Sequence, residues 1–192
     1  MTGKTHQVIG QLVGVSLFCA VTDGQYHPAT GTAVAIASSL SALLPDIDTP
    51  AAQIWRYMPF GLGKIGSQFV HPFLQHRNLT HSLLGSALIG TGLWQIGLHI
   101  PTYWGVNVLL IWVISMAGYF SHLVADSVTV EGIPIFFPLG RSFGFPPRPF
   151  QGLRIETGKW FESFIIYPSI ILLLLEVIIV HRQLLQSTFF LP

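Results

Sequence analysis

GYFSHLVAD, residues Gly118–Asp126, decides how this chain is read. It closes a long apolar run that begins near Tyr103, and it sets His122 and Asp126 four residues apart. On a helix that spacing presents both side chains on one face, a turn from each other. An acid and an imidazole at the edge of an apolar helix cost desolvation energy unless something pairs with them. A metal ion is one such partner. Two further clusters offer it more ligands: LPDIDTP (Leu44–Pro50) and HRNLTHS (His76–Ser82).

Composition sets the solvent. The chain has 192 residues, room for one domain spanning 1–192. Apolar residues make up 51% and charged residues 9%, against about 25% charged in an ordinary soluble domain. So few charges cannot cover a water-facing surface of this size, and the membrane class follows. A net charge of +1 gives no electrostatic case for nucleic acid as a partner. The single cysteine, Cys19, lies inside an apolar segment and excludes an intrachain disulfide.

Outward from the central stretch, the sequence predicts an all-α, polytopic membrane bundle of about five helices with two long loops. Val8–Thr22 is apolar and carries Gly10 and Gly14, a small-xxx-small pair suited to close helix packing. A signal peptide is the competing reading, disfavoured because no clear small-x-small cleavage site follows. Gly31–Leu44 is rich in Ala and Ser, as expected inside a bundle. Both runs are shorter than the roughly 17–25 residues that usually span. Asp46–Thr80 is the first long polar connection, with Ile54–Gly66 expected along the interface. Leu83–Ile100 and Tyr103–Val124 are long enough to span, and Asn78 or Thr80 is expected to cap the first of them. Ser127–Trp160 is the second connection, and Phe161–Val180 the fifth helix.

If each segment crosses, Lys4, Arg56, Lys64, Arg77, Arg141, Arg148, Arg154 and Lys159 fall on one side, and Arg182 alone on the other. That bias predicts a multi-pass protein with its N-terminus in the cytoplasm and its C-terminus outside. The same topology gathers His6, Asp46, Asp48, His76, His81, His122, Asp126 and Glu162 at the cytoplasmic helix ends, with His27, His99 and His181 opposite.

Each cluster has a plainer reading. His122 and Asp126 form an ordinary helix-end pair, Asp46 and Asp48 a Pro-Asp turn, and His76 to His81 a solvated loop. Mixed His/Asp sets suit zinc or another first-row divalent ion, and three such clusters together favour a metal over three coincidences.

These residues resemble the YdjM family, described as LexA-regulated, membrane-bound, predicted metal-dependent hydrolases. The elements that carry the likeness are Thr5-His6, LLPDID (Leu43–Asp48), HRNLTHS (His76–Ser82), GYFSHLVADSVTVEGIPIFFP (Gly118–Pro138) and RIETGKWFE (Arg154–Glu162). The resemblance implies metal ligands among His6, Asp46, Asp48, His76, His81, His122 and Asp126, with Glu162 as a further candidate. The order His, Asp, His, His-x3-Asp is also similar, more distantly, to zinc-dependent phospholipase C and P1-type nucleases, which are multinuclear phosphodiesterases.

Seven candidates exceed the roughly three or four protein ligands of one zinc site, so one or two ions are expected, with an Asp as bridge in the second case. Zinc is the leading ion, with manganese, iron or magnesium compatible with the donor set. Asp46, Asp48 and Glu162 are the candidate catalytic carboxylates. Arg77, Arg154 and Lys159 are placed to meet an anionic phosphate at the membrane surface, or to act as orientation signals. The expected activity is hydrolysis of a phosphoester on a lipid or lipid-linked molecule. The alternatives are a divalent-ion transporter or sensor, whose sites tend to lie near the midplane, and a membrane protein with a structural metal.

Overall fold

Small residues decide where these helices can touch. A computed structural model describes residues 1–21, 27–59, 62–70, 79–140, 142–147 and 149–189. Within them α1 (Gly3–Val21), α2 (Pro28–Ser41), α5 (Leu83–Gly97), α6 (Val108–Ser127) and α7 (Tyr167–Val180) run in turn up and down one bundle. Two short helices, α3 (Gln53–Arg56) and α4 (Leu62–Val70), lie in the first connection, and α8 (Arg182–Phe189) follows α7. The only β pairing among the described residues is two isolated bridges, Thr129 to Ile155 and Ile133 to Phe143.

The centre is the triangle of α1, α2 and α6. The glycine pair on α1 works as its spacing predicts. A Cβ at Gly10 would come within 2.5 Å of Ala42 Cβ and the Ser38 carbonyl, and one at Gly14 would collide with Ser38. Gly118 on α6 meets Ser41 in the same way. With no side chains between them the backbones close up, as in small-residue packing inside membranes. Phe18, Val34, Leu110 and Ile114 fill the space one level further along.

Two segments are long and apolar enough to cross a bilayer, Val108–Ser127 and Glu162–Val180; α5 is apolar but shorter. The expectation of five spanning helices is therefore met, by length and composition, at two. α7 buries none of its residues within the protein and exposes Leu172, Leu173, Ile179 and Val180, a face made for lipid.

The expected boundaries move in three places. α6 begins at Val108 and not at Tyr103. Residues Thr102–Trp104 form a 3-10 turn closed by Gly105 at φ 67°, and Asn107 Oδ1 caps the helix by accepting from Leu110 N–H at 3.0 Å. It runs on to Ser127, so Asp126 lies within its last turn. The cap of α5 is Ser82, whose hydroxyl accepts from Gly85 N–H at 3.1 Å; Thr80 is used elsewhere. α8 was not expected. Its Leu185 packs against the Phe18 cluster and its Thr188 is buried. The second connection folds back under the end of α6, where Ile133 and Phe143 exchange two backbone hydrogen bonds and Ile133 packs with Tyr119 and Leu123.

Candidate metal centre

Four stretches deliver their side chains to one end of the bundle. His6 lies in the second turn of α1, Asp46 in the 3-10 segment Leu44–Asp48, His81 just before α5, and His122 and Asp126 in the last turns of α6. His6 and His122 are fully buried, and His81 and Asp126 nearly so. Asp46 is the most open, its side chain 19% exposed.

The tautomers follow from the partners. His122 Nδ1–H donates to the carbonyl of Ala42 at 2.7 Å, which leaves a lone pair on Nε2. Thr80 spends its one hydroxyl proton on Asp48 Oδ2 at 3.1 Å, so it accepts from His81 Nδ1–H at 3.2 Å. His81 Nε2 is thereby also a lone pair. The two Nε2 atoms face each other at 3.2 Å. Two lone pairs cannot share that space alone: a proton or a cation has to sit between them.

Carboxylates surround the same point. Asp126 Oδ1 lies 3.0 Å from His6 Nε2, and its Oδ2 lies 3.4 Å from His122 Nε2 and 3.6 Å from His81 Nε2. Asp46 Oδ1 lies 3.5 Å from His81 Nε2 and 3.7 Å from His122 Nε2. Donors about 2.1 Å from one tetrahedral ion stand about 3.4 Å from each other, and these separations bracket that value. The ring of His6 stacks on that of His122 with centroids 3.6 Å apart. Although His6 Nε2 is near Asp126, it lies off the hydrogen-bonding direction, so both ring nitrogens of this buried histidine lack a hydrogen-bond partner. The N-terminal ammonium of Met1 pairs with Asp126 Oδ1 and leaves His6 without a partner, so the two His6 nitrogens are groups that an ion could pair with. Two overlapping triads, His6–His122–Asp126 and Asp46–His81–His122, could each hold an ion.

The field of the cluster is visible outside the spanning helices. Burial by itself would raise the Asp46 carboxyl, but hydrogen bonding from His81 and the charges of His122 and His81 hold it down at about 2. Burial would lower His81, yet hydrogen bonds to Asp126 and Asp46 lift it to about 9. Without an ion, His81 carries the proton that the facing lone pairs require.

Other sequence candidates fall elsewhere. Asp48 does not face the cluster; it anchors Thr80, which orients His81, while Tyr119 O–H fixes the Thr80 carbonyl. Glu162 lies apart from the metal-facing atoms. Its Oε1 accepts from Thr2 N–H at 2.6 Å, from Thr2 Oγ1 at 2.9 Å and from Thr5 Oγ1 at 2.6 Å, and its Oε2 from Gly158 N–H at 2.7 Å. That carboxylate clamps the start of α1, and with it His6, to the π turn Glu162–Ile166 that opens α7. Arg154 donates to the Pro146 carbonyl at 2.9 Å and the Gly144 carbonyl at 2.8 Å, so its side chain ties the second connection together. Lys159 is exposed. His76, Arg77, Arg141 and Arg148 lie outside the described residues. Sequence reading missed Thr80 as the link between Asp48 and His81, although all three residues sit in the two quoted clusters.

An all-helical membrane protein with a buried three-histidine, two-aspartate cluster at one end is the class these observations define. The chain belongs to the YdjM inner membrane protein family, whose profile matches residues 1–185. It is 30% identical to the protein YvsG of Bacillus subtilis (strain 168) over 166 residues, 86% of this chain and 88% of that one. It is 32% identical to the inner membrane protein YdjM of Escherichia coli (strain K12) over 119 residues, 61% of this chain, and likewise to YdjM of Shigella flexneri. The match spans 56% of those two relatives. No solved structure matches this chain.

Proposed function

We propose that this protein is an integral-membrane, metal-dependent hydrolase that cleaves a phosphoester of a lipid or lipid-linked molecule at the cytoplasmic leaflet. The observation that carries the reading is the pair of imidazole lone pairs directed at each other across 3.2 Å inside a ring of two carboxylates and the unpartnered His6. The donors fit a divalent ion, with imidazoles suited to zinc and carboxylates extending the range to manganese or iron. His122 offers a single free nitrogen, because its other nitrogen is committed to Ala42. It therefore cannot serve both triads through separate ions. One ion drawing three or four ligands from His6, His81, His122, Asp126 and the more open Asp46, with a position left for water, is the simplest arrangement, and a second ion would require a bridging carboxylate.

A divalent ion bound there supplies Lewis-acid polarisation of a phosphoryl oxygen and lowers the pKa of water to about 7. The protein's own residues do the rest. The Ala42 carbonyl and the Asp48–Thr80 pair fix the two imidazoles in their tautomers, as second-layer partners do in metal enzymes. Asp46, the most open of the five, is the carboxylate nearest to solvent and, where the ion takes the other donors, the one left to accept a proton from water. Lys4, Arg56, Lys64, Arg154 and Lys159 lie in or beside the segments at the cluster end, and under the positive-inside rule they favour a cytoplasmic setting for it.

The ion-transport alternative is less well supported, because the cluster sits at the helix ends and not at the midplane. In the purified protein, zinc content close to one per chain is expected, with turnover of a lipid phosphoester. Asp126→Ala should lose both while remaining folded by circular dichroism. Undiminished turnover in that variant would refute the assignment, and zinc flux through proteoliposomes would replace it with transport.

A further inference from the structure

Beside the cluster lies a cavity of about 450 Å³, bounded by Asp46 together with Lys4 and Arg56 and by Gln53, Ser163 and Tyr167. Helical geometry explains why it is polar. Lys4 is two residues from His6 on α1, so the two side chains leave the helix on different faces, one to the cavity and the other to the cluster. On α3, Gln53 and Arg56 share a face at i and i+3, while Ile54 and Trp55 are buried. α1 and α3 approach because position 3 is glycine: a Cβ there would meet Gln53 Cβ at 3.1 Å.

We infer that this cavity is the anion-recognition pocket of the site, in which Lys4 and Arg56 bind the phosphate group whose ester the adjoining cluster attacks; the inference rests on the hydrolase reading. Two cations on separate elements converge on a cavity that also exposes Asp46, the most open of the cluster's carboxylates. Orientation signals alone require only that basic residues lie in the cytoplasmic loops. They do not require them to share a cavity wall with a candidate metal ligand. A guanidinium offers paired N–H groups that match two phosphate oxygens, an ammonium adds a compact charge, and Ser163 and Tyr167 line the same space. Both cations are solvent-exposed, and no ion pair to either is formed among the described residues.

The test uses the full chain in lipid nanodiscs, loaded with zinc, and calorimetric titration with inorganic phosphate. The double variant Lys4→Gln, Arg56→Gln should weaken phosphate binding at least tenfold with zinc content unchanged, whereas Lys64→Gln, on α4, should leave it as in the wild type. Phosphatidylcholine vesicles with and without phosphatidic acid form the second arm. Preferential binding of the phosphatidic acid vesicles supports the pocket with a lipid headgroup as the source, and equal competition by inorganic phosphate supports it with free phosphate. Unchanged affinity for both probes in the double variant overturns the inference. So does loss of zinc from that variant, since the cations would then be holding the cluster. If the wild type takes up no zinc, the hydrolase reading fails, while phosphate binding to the unloaded protein and its loss in the double variant still decide what Lys4 and Arg56 do.

Discussion

His27, His99 and His181 stand at one end of the bundle, and His6, His81 and His122 at the other. The first three are satisfied locally. His27 Nδ1 accepts from Ala29 N–H at 3.2 Å, His99 Nδ1–H donates to the Gln95 carbonyl at 2.8 Å, and His181 Nδ1–H donates to the Val177 carbonyl at 3.0 Å. They finish helix ends, in or near water. The second three are buried and point at residues far away in sequence, and one has no hydrogen-bond partner at all. Among the described residues each end carries three histidines. What separates a cap from a ligand is whether the remaining lone pair is aimed at something the protein itself does not provide.

The sharpest way to break this contrast is to move a helix without touching a ligand. Gly10→Val should drive α2 away from α1, carry the Ala42 carbonyl off His122, cost about 1–3 kcal/mol in overpacking, and abolish zinc binding. Gly92→Ala, where an added Cβ meets nothing within 4 Å, should leave thermal stability and zinc content unchanged. Equal effects of the two substitutions would mean that the close helix contact does not hold the site.

Asp48→Asn tests the outer layer. Removing the negative charge that orients Thr80 and His81 should weaken zinc binding about 10- to 100-fold, as measured by competition with a chelating dye. His99→Ala should change nothing in the same assay. The smallest effect concerns protons. His81, raised to about 9, is protonated in the ion-free protein below that pH and must lose its proton to become a ligand. Zinc binding at pH 7 should thus release about one proton, read as the dependence of calorimetric enthalpy on buffer ionisation, and release less as the pH passes 9. Asp46, held at about 2, is ionised throughout and adds none.

Much of this was legible in the sequence because the period of a helix is fixed. His122 and Asp126 had to share a face, and Gly10 and Gly14 had to mark a close contact. Asp46, His81 and His6 join the first pair as expected. Position along the chain said less about layers. Asp46 and Asp48 are two residues apart in a 3-10 turn, and only folding shows that the first faces the cluster while the second reaches it through Thr80. Glu162 was read as part of the chemistry from its motif, yet its oxygens are filled by Thr2, Thr5 and Gly158, a clamp between segments some 160 positions apart. Lys4 and Arg56 read only as orientation signals, since the cavity they share is formed by α1 meeting α3 through Gly3, a contact no local pattern announces.

The ligands also appear late and in a definite order during synthesis. His6 emerges with the first helix, but Asp126 lies 120 residues downstream at the end of α6. The cluster is therefore complete only once α6 has packed against α1 and α2. A product truncated before α6 would lack Asp126 and His122, the one residue common to both triads.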